Sequence, residues 1–126
     1  MNKRRSEPDH PGRYAYDGLD PIFHEKARLG MITSLVTHPQ GLVFTELKDL
    51  CSLTDGNLSR HLRALTEAGM VEVWKGSHGK RPQTLCRLTD QGKQRFLDYV
   101  AVLESVVTDA LAEPKLNPRL GGLAAH

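Results

Sequence analysis

Cysteine, aromatic residues and long apolar runs are all scarce in this 126-residue chain. Its two cysteines, Cys51 and Cys86, lie far apart and cannot form the dense disulfide framework of a small secreted domain. Aromatic side chains make up 6% of residues, and no apolar run approaches the roughly 18 residues needed to cross a bilayer. The first twenty residues open with Lys3, Arg4 and Arg5 but never reach an apolar segment, so they do not read as a signal peptide. These features point to a soluble cytoplasmic protein with reduced thiols and no membrane partner. Catalytic signatures are missing too. There is no glycine-rich phosphate loop, nucleophile elbow or paired carboxylate motif. Ser59 and His61 sit two apart on one helical segment and so do not face each other. The six histidines show no His-x₃-His spacing and the cysteines no Cys-x₂-Cys. The expectation is therefore no enzyme, no metal and no cofactor.

What is present is about one domain of ordinary composition, 39% hydrophobic and 25% charged. The net charge of +2 conceals an uneven distribution. From Asn57 to Leu88 six basic residues face two acidic ones, a local +4, whereas Phe96 to His126 carries −2. A positive middle beside a mildly negative end is how a nucleic-acid-binding face separates from the rest of a small domain.

Residues 1–20, with Pro8, Pro11, Gly12 and Gly18, read as a flexible arm, and residues 113–126, with Pro114, Pro118, Gly121 and Gly122, as a flexible tail. Between them, 21–112 forms the domain. Asp20-Pro21 starts a helix that runs until Pro39. Leu42-Val43-Phe44 is a short apolar piece, and Thr45 a good N-cap for a short helix carrying Leu47, Leu50 and Cys51. Over 54–68, Leu58, Leu62 and Leu65 fall on one helical face, with Gly56, Arg60, Arg63 and Glu67 opposite and Asp55 a candidate cap. Gly69 is placed to end that helix in the left-handed conformation. Two strands, 70–74 and 83–88, flank a basic linker over 75–82 that is too long for a tight turn. Thr89-Asp90 caps a last helix to about Ala112, with a heptad stripe of Phe96, Val100, Leu103, Val107 and Ala110. The order is mainly α (α+β). It is a winged helix-turn-helix, a three-helix core with a β-hairpin wing and a long C-terminal helix suited to dimerisation.

The stretch from about His24 to Leu103 resembles small winged-helix transcriptional regulators of the MarR/ArsR-like group. The likeness rests on Lys26-Ala-Arg-Leu-Gly-Met-Ile, Phe44-Thr-Glu-Leu-Lys and the run from Leu53 to Glu72. It extends to Gly79-Lys-Arg-Pro-Gln-Thr in the wing and Leu88-Thr-Asp-Gln-Gly before the last helix. The resemblance implies a homodimeric, sequence-specific regulator of prokaryotic type, with its third helix in the major groove and its wing on the minor groove or backbone. Its partner would be double-stranded DNA carrying a near-palindromic operator.

Thr54, Asn57, Ser59, Arg60 and Arg63 are the candidate DNA contacts on the third helix, because arginine and asparagine can read guanine and adenine edges bidentately. Lys75, Lys80 and Arg81 are candidates in the wing, with Arg81 suited to probing a minor groove. Thr45 resembles family positions that combine capping with a phosphate contact. His61 lies nearer the leucine stripe than the arginine face, so packing and DNA contact both stay open. Some ArsR-type sensors carry a Cys-x-Cys before the third helix. Here only Cys51 stands there, which argues against metal sensing at that place, and both thiols read as core residues. Two alternatives accompany the regulator reading. One is a winged helix turned protein-interaction module, and the other a regulator switched by an unknown small-molecule effector.

Overall fold

The computed structural model describes residues 11–114. The elements run from a single 3₁₀ turn (Pro21–Phe23) through α1 (Lys26–Val36), β1 (Leu42–Val43), α2 (Phe44–Cys51) and α3 (Asp55–Glu67). They continue with β2 (Val71–His78), β3 (Arg81–Leu88) and α4 (Asp90–Leu111). The three strands form an antiparallel sheet in the order β1-β3-β2. Three helices and a hairpin with a long last helix make the winged helix-turn-helix that the sequence leads one to expect.

Burial explains the arrangement. Met31, Ile32 and Leu35 of α1, Leu47 of α2, and Leu58 and Leu65 of α3 are all withdrawn from water, together with Met70 and Cys86. Each is the inward member of a helical or alternating pattern, so one apolar centre holds all three helices against the base of the sheet. The last helix closes this core. Phe96 and Tyr99 pack on Phe23 with ring centroids 5.4 and 4.8 Å away. Gly92 permits the approach, since a Cβ there would fall 2.3 Å from the Met70 carbonyl oxygen.

Several local expectations need correction. The first helix does not run unbroken from Pro21. Asp20 caps only the 3₁₀ turn, accepting from the Ile22 amide at 3.1 Å, and α1 starts afresh at Lys26. Asp20 also accepts from Arg95 of α4, which ties the turn to that helix. Thr45 is not the cap of α2. Helical geometry begins at Phe44, and the Glu46 carboxylate accepts from the Val43 amide at 3.0 Å. Asp55 does not cap α3 either. Thr54 does, accepting from the Asn57 amide at 3.2 Å, while Asp55 pairs with Lys48 of α2 at 2.9 Å.

The linker over 75–82 is not a loop. Both strands continue outward in register until His78 faces Arg81, leaving Gly79 and Lys80 as a two-residue turn. Gly79 supplies the positive φ (+66°) that such a turn demands, and the polar character of the strands reflects a ribbon that leaves the core. Residues 11–20, read as the end of a loose arm, lie against α4. Arg13 and Tyr16 both donate to the Asp109 carboxylate, and a Cβ on Gly18 would touch Val102 at 2.9 Å. The rest of that arm, 1–10, and the tail from 115 lie outside the described residues.

Candidate nucleic-acid interface

Two basic elements stand side by side, the outer face of α3 and the hairpin β2–β3. The α3 helix is set by its burial pattern. Leu58, His61, Leu62 and Leu65 face inward, and Asn57, Ser59, Arg60, Arg63 and Glu67 remain exposed. Its entry is fixed by Ser52, which adopts the left-handed conformation (φ 54°, ψ 48°) and turns the chain sharply between α2 and α3. The Thr54 cap and the Lys48–Asp55 ion pair hold the first turn, so the α3 N-terminus projects at a defined angle to α2.

Arg60 and Arg63, three residues apart, share the exposed face, and their side chains diverge, Arg63 toward the sheet and Arg60 toward α1. Arg63 lines a groove of about 380 Å³ between α3 and the sheet, shared with Ser59, Thr66, Glu67, Lys75 and Thr84. Lys75 pairs with Thr84 across the hairpin, on the side that faces this groove. Thr45, at the start of α2, meets the hairpin in a second groove of about 340 Å³ with His78, Arg81 and Gln83. Lys80 occupies the tip. The candidate residues Thr45, Thr54, Asn57, Ser59, Arg60, Arg63, Lys75, Lys80 and Arg81 are therefore all exposed, along the α2–α3 corner and the ribbon.

Arg60 turns to the α1 side, where His61 is buried at 3% exposure. The Arg60 Nη2 lies 3.1 Å from His61 Nε2, and the Arg28 Nε lies 3.2 Å from His61 Nδ1. Glu25, the residue just before α1, completes the group, with its carboxylate 3.1 Å from Arg28 and 3.9 Å from Nδ1. Burial, and then Arg60, hold the His61 pKa below its ordinary value, with Glu25 pulling the other way and Arg28 adding a smaller downward push. Packing thus claims His61, of the two roles left open by its sequence position, and it does so beside a proposed DNA contact. Arg28 was not legible as part of this group, because nothing in a helical pattern reveals which α1 residue faces α3.

The heptad stripe of α4 divides in two. Phe96 is buried, and Val100 and Leu103 pack against the same core, so these three are used within the chain. Beyond Leu103 the helix outruns the apolar core, and residues 13–16 reach it on one side at Asp109. Val107 is 54% exposed, Ala110 is exposed, and Leu111, one turn past Val107 on the same face, is 81% exposed. On the far side of the hairpin Trp74 (41% exposed) stacks on Arg87, whose guanidinium carbon sits 4.5 Å from the ring centre. Neither residue stood out in the sequence, since a tryptophan in a strand reads first as core. Cys86 is fully buried, which pushes its thiol pKa up to about 11, and Cys51 is half-buried against α1. Among the described residues no group of three His, Cys, Asp or Glu side chains could hold a metal ion, and no helix is long and apolar enough to cross a membrane.

Comparison with known proteins agrees with this architecture. Residues 27–107 match the family model described as winged helix DNA-binding domain. An uncharacterized protein of Methanocaldococcus jannaschii is 40% identical over 79 residues, covering 63% of this chain and 85% of that one. The structure is similar to a transcriptional regulator homologue from Pyrococcus horikoshii at a TM-score of 0.68 and 27% identity, over 74% of this chain and 91% of that one. It also shares its fold with MarR, at a TM-score of 0.62 and 19% identity, over 78% and 74% of the two chains.

Proposed function

The chain belongs to the winged helix DNA-binding domain family, with the fold of MarR-type transcriptional regulators and not that of an enzyme, and we propose that it regulates transcription as a sequence-specific homodimer. The observation that carries this reading is the adjacency of two exposed basic elements. Arg63 of α3 and Lys75 of the ribbon line one groove, with Arg60 exposed on the same helix and Lys80 and Arg81 exposed further out on the ribbon. In this reading α3 enters a major groove with Asn57, Ser59, Arg60 and Arg63 toward base edges. Thr45 and the amide-rich start of α3 at Thr54 meet phosphates, where a helix N-terminus favours negative charge. The ribbon carries Lys75, Lys80 and Arg81 along the backbone, with Arg81 reaching a narrow minor groove.

Dimerisation is proposed through the end of α4 that outruns the core, by Val107, Ala110 and the neighbouring Leu111. Exposed leucine and valine on one helical stripe favour a helix partner, and a second copy meets it with an identical stripe about a two-fold axis. Two α3 helices then lie about one DNA turn (~34 Å) apart and select a near-palindromic site. A protein-docking winged helix would have no use for this run of basic groups, none of which has a carboxylate partner among the described residues.

The test is selection of bound duplexes from a random library by the full-length protein, followed by sequencing and by sedimentation of the protein alone. Enrichment of an inverted repeat together with a dimeric mass supports the reading. Enrichment of nothing at low salt overturns it. Val107→Glu should shift the sedimentation to monomer while leaving the core intact, a cleaner test than a change at Leu103, which is partly buried against that core.

A further inference from the structure

We propose that Arg60 and the Nε2–H of His61 together form a two-donor site for a phosphate oxygen at the edge between α1 and α3. The source of that phosphate rests on the DNA-binding reading above, whereas the site itself rests on geometry alone. The geometry begins at Glu25, whose carboxylate lies 3.1 Å from Arg28 and holds that guanidinium in place. The Arg28 Nε–H then donates to His61 Nδ1 at 3.2 Å. A neutral imidazole has one accepting and one donating nitrogen, so the bond at Nδ1 leaves the ring proton on Nε2.

That second N–H has no acceptor among the described residues. The ring is buried at 3% exposure, and the group that meets Nε2 is another donor, the Arg60 Nη2, at 3.1 Å. A buried donor in this position forfeits a hydrogen bond that it makes in water. One oxygen completes the pair. At about 2.9 Å from each nitrogen it closes a nearly equilateral triangle on the two donors. Arg60 is exposed, so a small sideways shift of its guanidinium admits the oxygen.

The charge balance selects an anion. Glu25 offsets Arg28, burial and then Arg60 keep the ring neutral, and Arg60 has no carboxylate partner among the described residues. An anionic oxygen offsets Arg60 and accepts a charge-assisted bond from it. Phosphate supplies such an oxygen either in a DNA backbone or as the free anion. On the exposed face of α3, docking of a duplex brings the backbone to the site. A guanidinium carries five N–H groups, so the Arg60 edge turned away from the ring stays available to a base. The phosphate contact then fixes the register of α3, and the base contact reads sequence.

The test is ¹H–¹⁵N NMR of the His61 ring in the full-length protein at about pH 7.5, alone, with inorganic phosphate and with a DNA duplex. The free ring should carry its proton on Nε2. That proton should move downfield with phosphate and with duplex as it gains an oxygen acceptor. A shift with duplex alone assigns the site to backbone phosphate, and a shift with inorganic phosphate alone assigns it to the free anion. An unprotonated Nε2, or a resonance that neither addition moves, overturns the proposal. His61→Leu, its fold checked by circular dichroism, should weaken binding to selected and random-sequence duplexes alike by about tenfold. The salt slope should not change, because the lost donor is neutral. His61→Gln should restore binding, since its amide accepts from Arg28 through oxygen and donates through nitrogen. A loss confined to the selected duplex, or no rescue by glutamine, overturns the backbone assignment. If no duplex binds at all, the regulator reading fails, and the phosphate titration still decides the site.

Discussion

Neutralising the wing tip by the double change Lys80→Ala and Arg81→Ala should flatten the salt dependence of DNA binding by a predictable amount. Both side chains are exposed on a ribbon that leaves the core, and neither has a carboxylate partner among the described residues. In B-DNA each phosphate contact contributes about 0.9 to the slope of log K against log salt, through release of condensed counterions. A dimer that engages both wings loses four such contacts, so the slope should fall by about 3.6. Across a fourfold rise in salt that difference amounts to about 150-fold in affinity. Fluorescence anisotropy of a labelled duplex, titrated with wild type and variant over a salt series, reads it directly. A fall of about 1.8 would mean that only one wing touches the backbone, and an unchanged slope would refute the placement of the ribbon on DNA.

Three further outcomes follow from the core and its borders. Gly92→Ala should destabilise the fold by about 2–3 kcal/mol in urea unfolding, because the new methyl meets backbone that cannot swing aside; wild-type stability would show that α4 is not seated on Met70 as described. Asp20→Asn should cost about 1 kcal/mol at neutral pH, discounted for partial exposure, by removing the charge that Arg95 faces. Asp20 has its carboxyl pKa held low mainly by the Arg95 hydrogen bond, so its contribution is complete above the ordinary carboxylate range and disappears as pH falls through the lowered value. Wild type and variant should accordingly converge in acid, and a gap that persists there would point to another cause. A thiol reagent at pH 8 should modify Cys51 alone, since Cys86 is buried with a pKa near 11; two thiols reacting at equal rates would contradict the packing of β3.

The helices were legible because their signals are local and redundant. Leu58, Leu62 and Leu65 repeat at helical spacing, Thr89 stands where a cap should, and Gly69 adopts the positive φ that its place after α3 demands. The failures are equally instructive. Polar residues over 75–82 read as a loop because they lack an apolar alternation, whereas a ribbon standing clear of the core is polar on both faces and still fully paired. At Thr54 and Asp55 two good cap residues adjoin, and the sequence does not show that Thr54 takes the cap while Asp55 pairs with Lys48 of α2. The stripe of α4 appeared as one seam, yet its first half meets Phe23 and its own core, which no periodicity can distinguish from a partner chain. The His61 group was out of reach for the same reason. It joins residues 25, 28, 60 and 61 across two helices, and only their packing brings them together.

The central claim is that the exposed face of α3 and the ribbon bind DNA together. The most direct test is a ¹H–¹⁵N NMR titration of the protein with a duplex recovered by selection. The account predicts that shift changes concentrate at Thr54, Asn57, Arg60 and Arg63 and along residues 75–81. Changes confined to α4, or spread evenly over the surface, would contradict it.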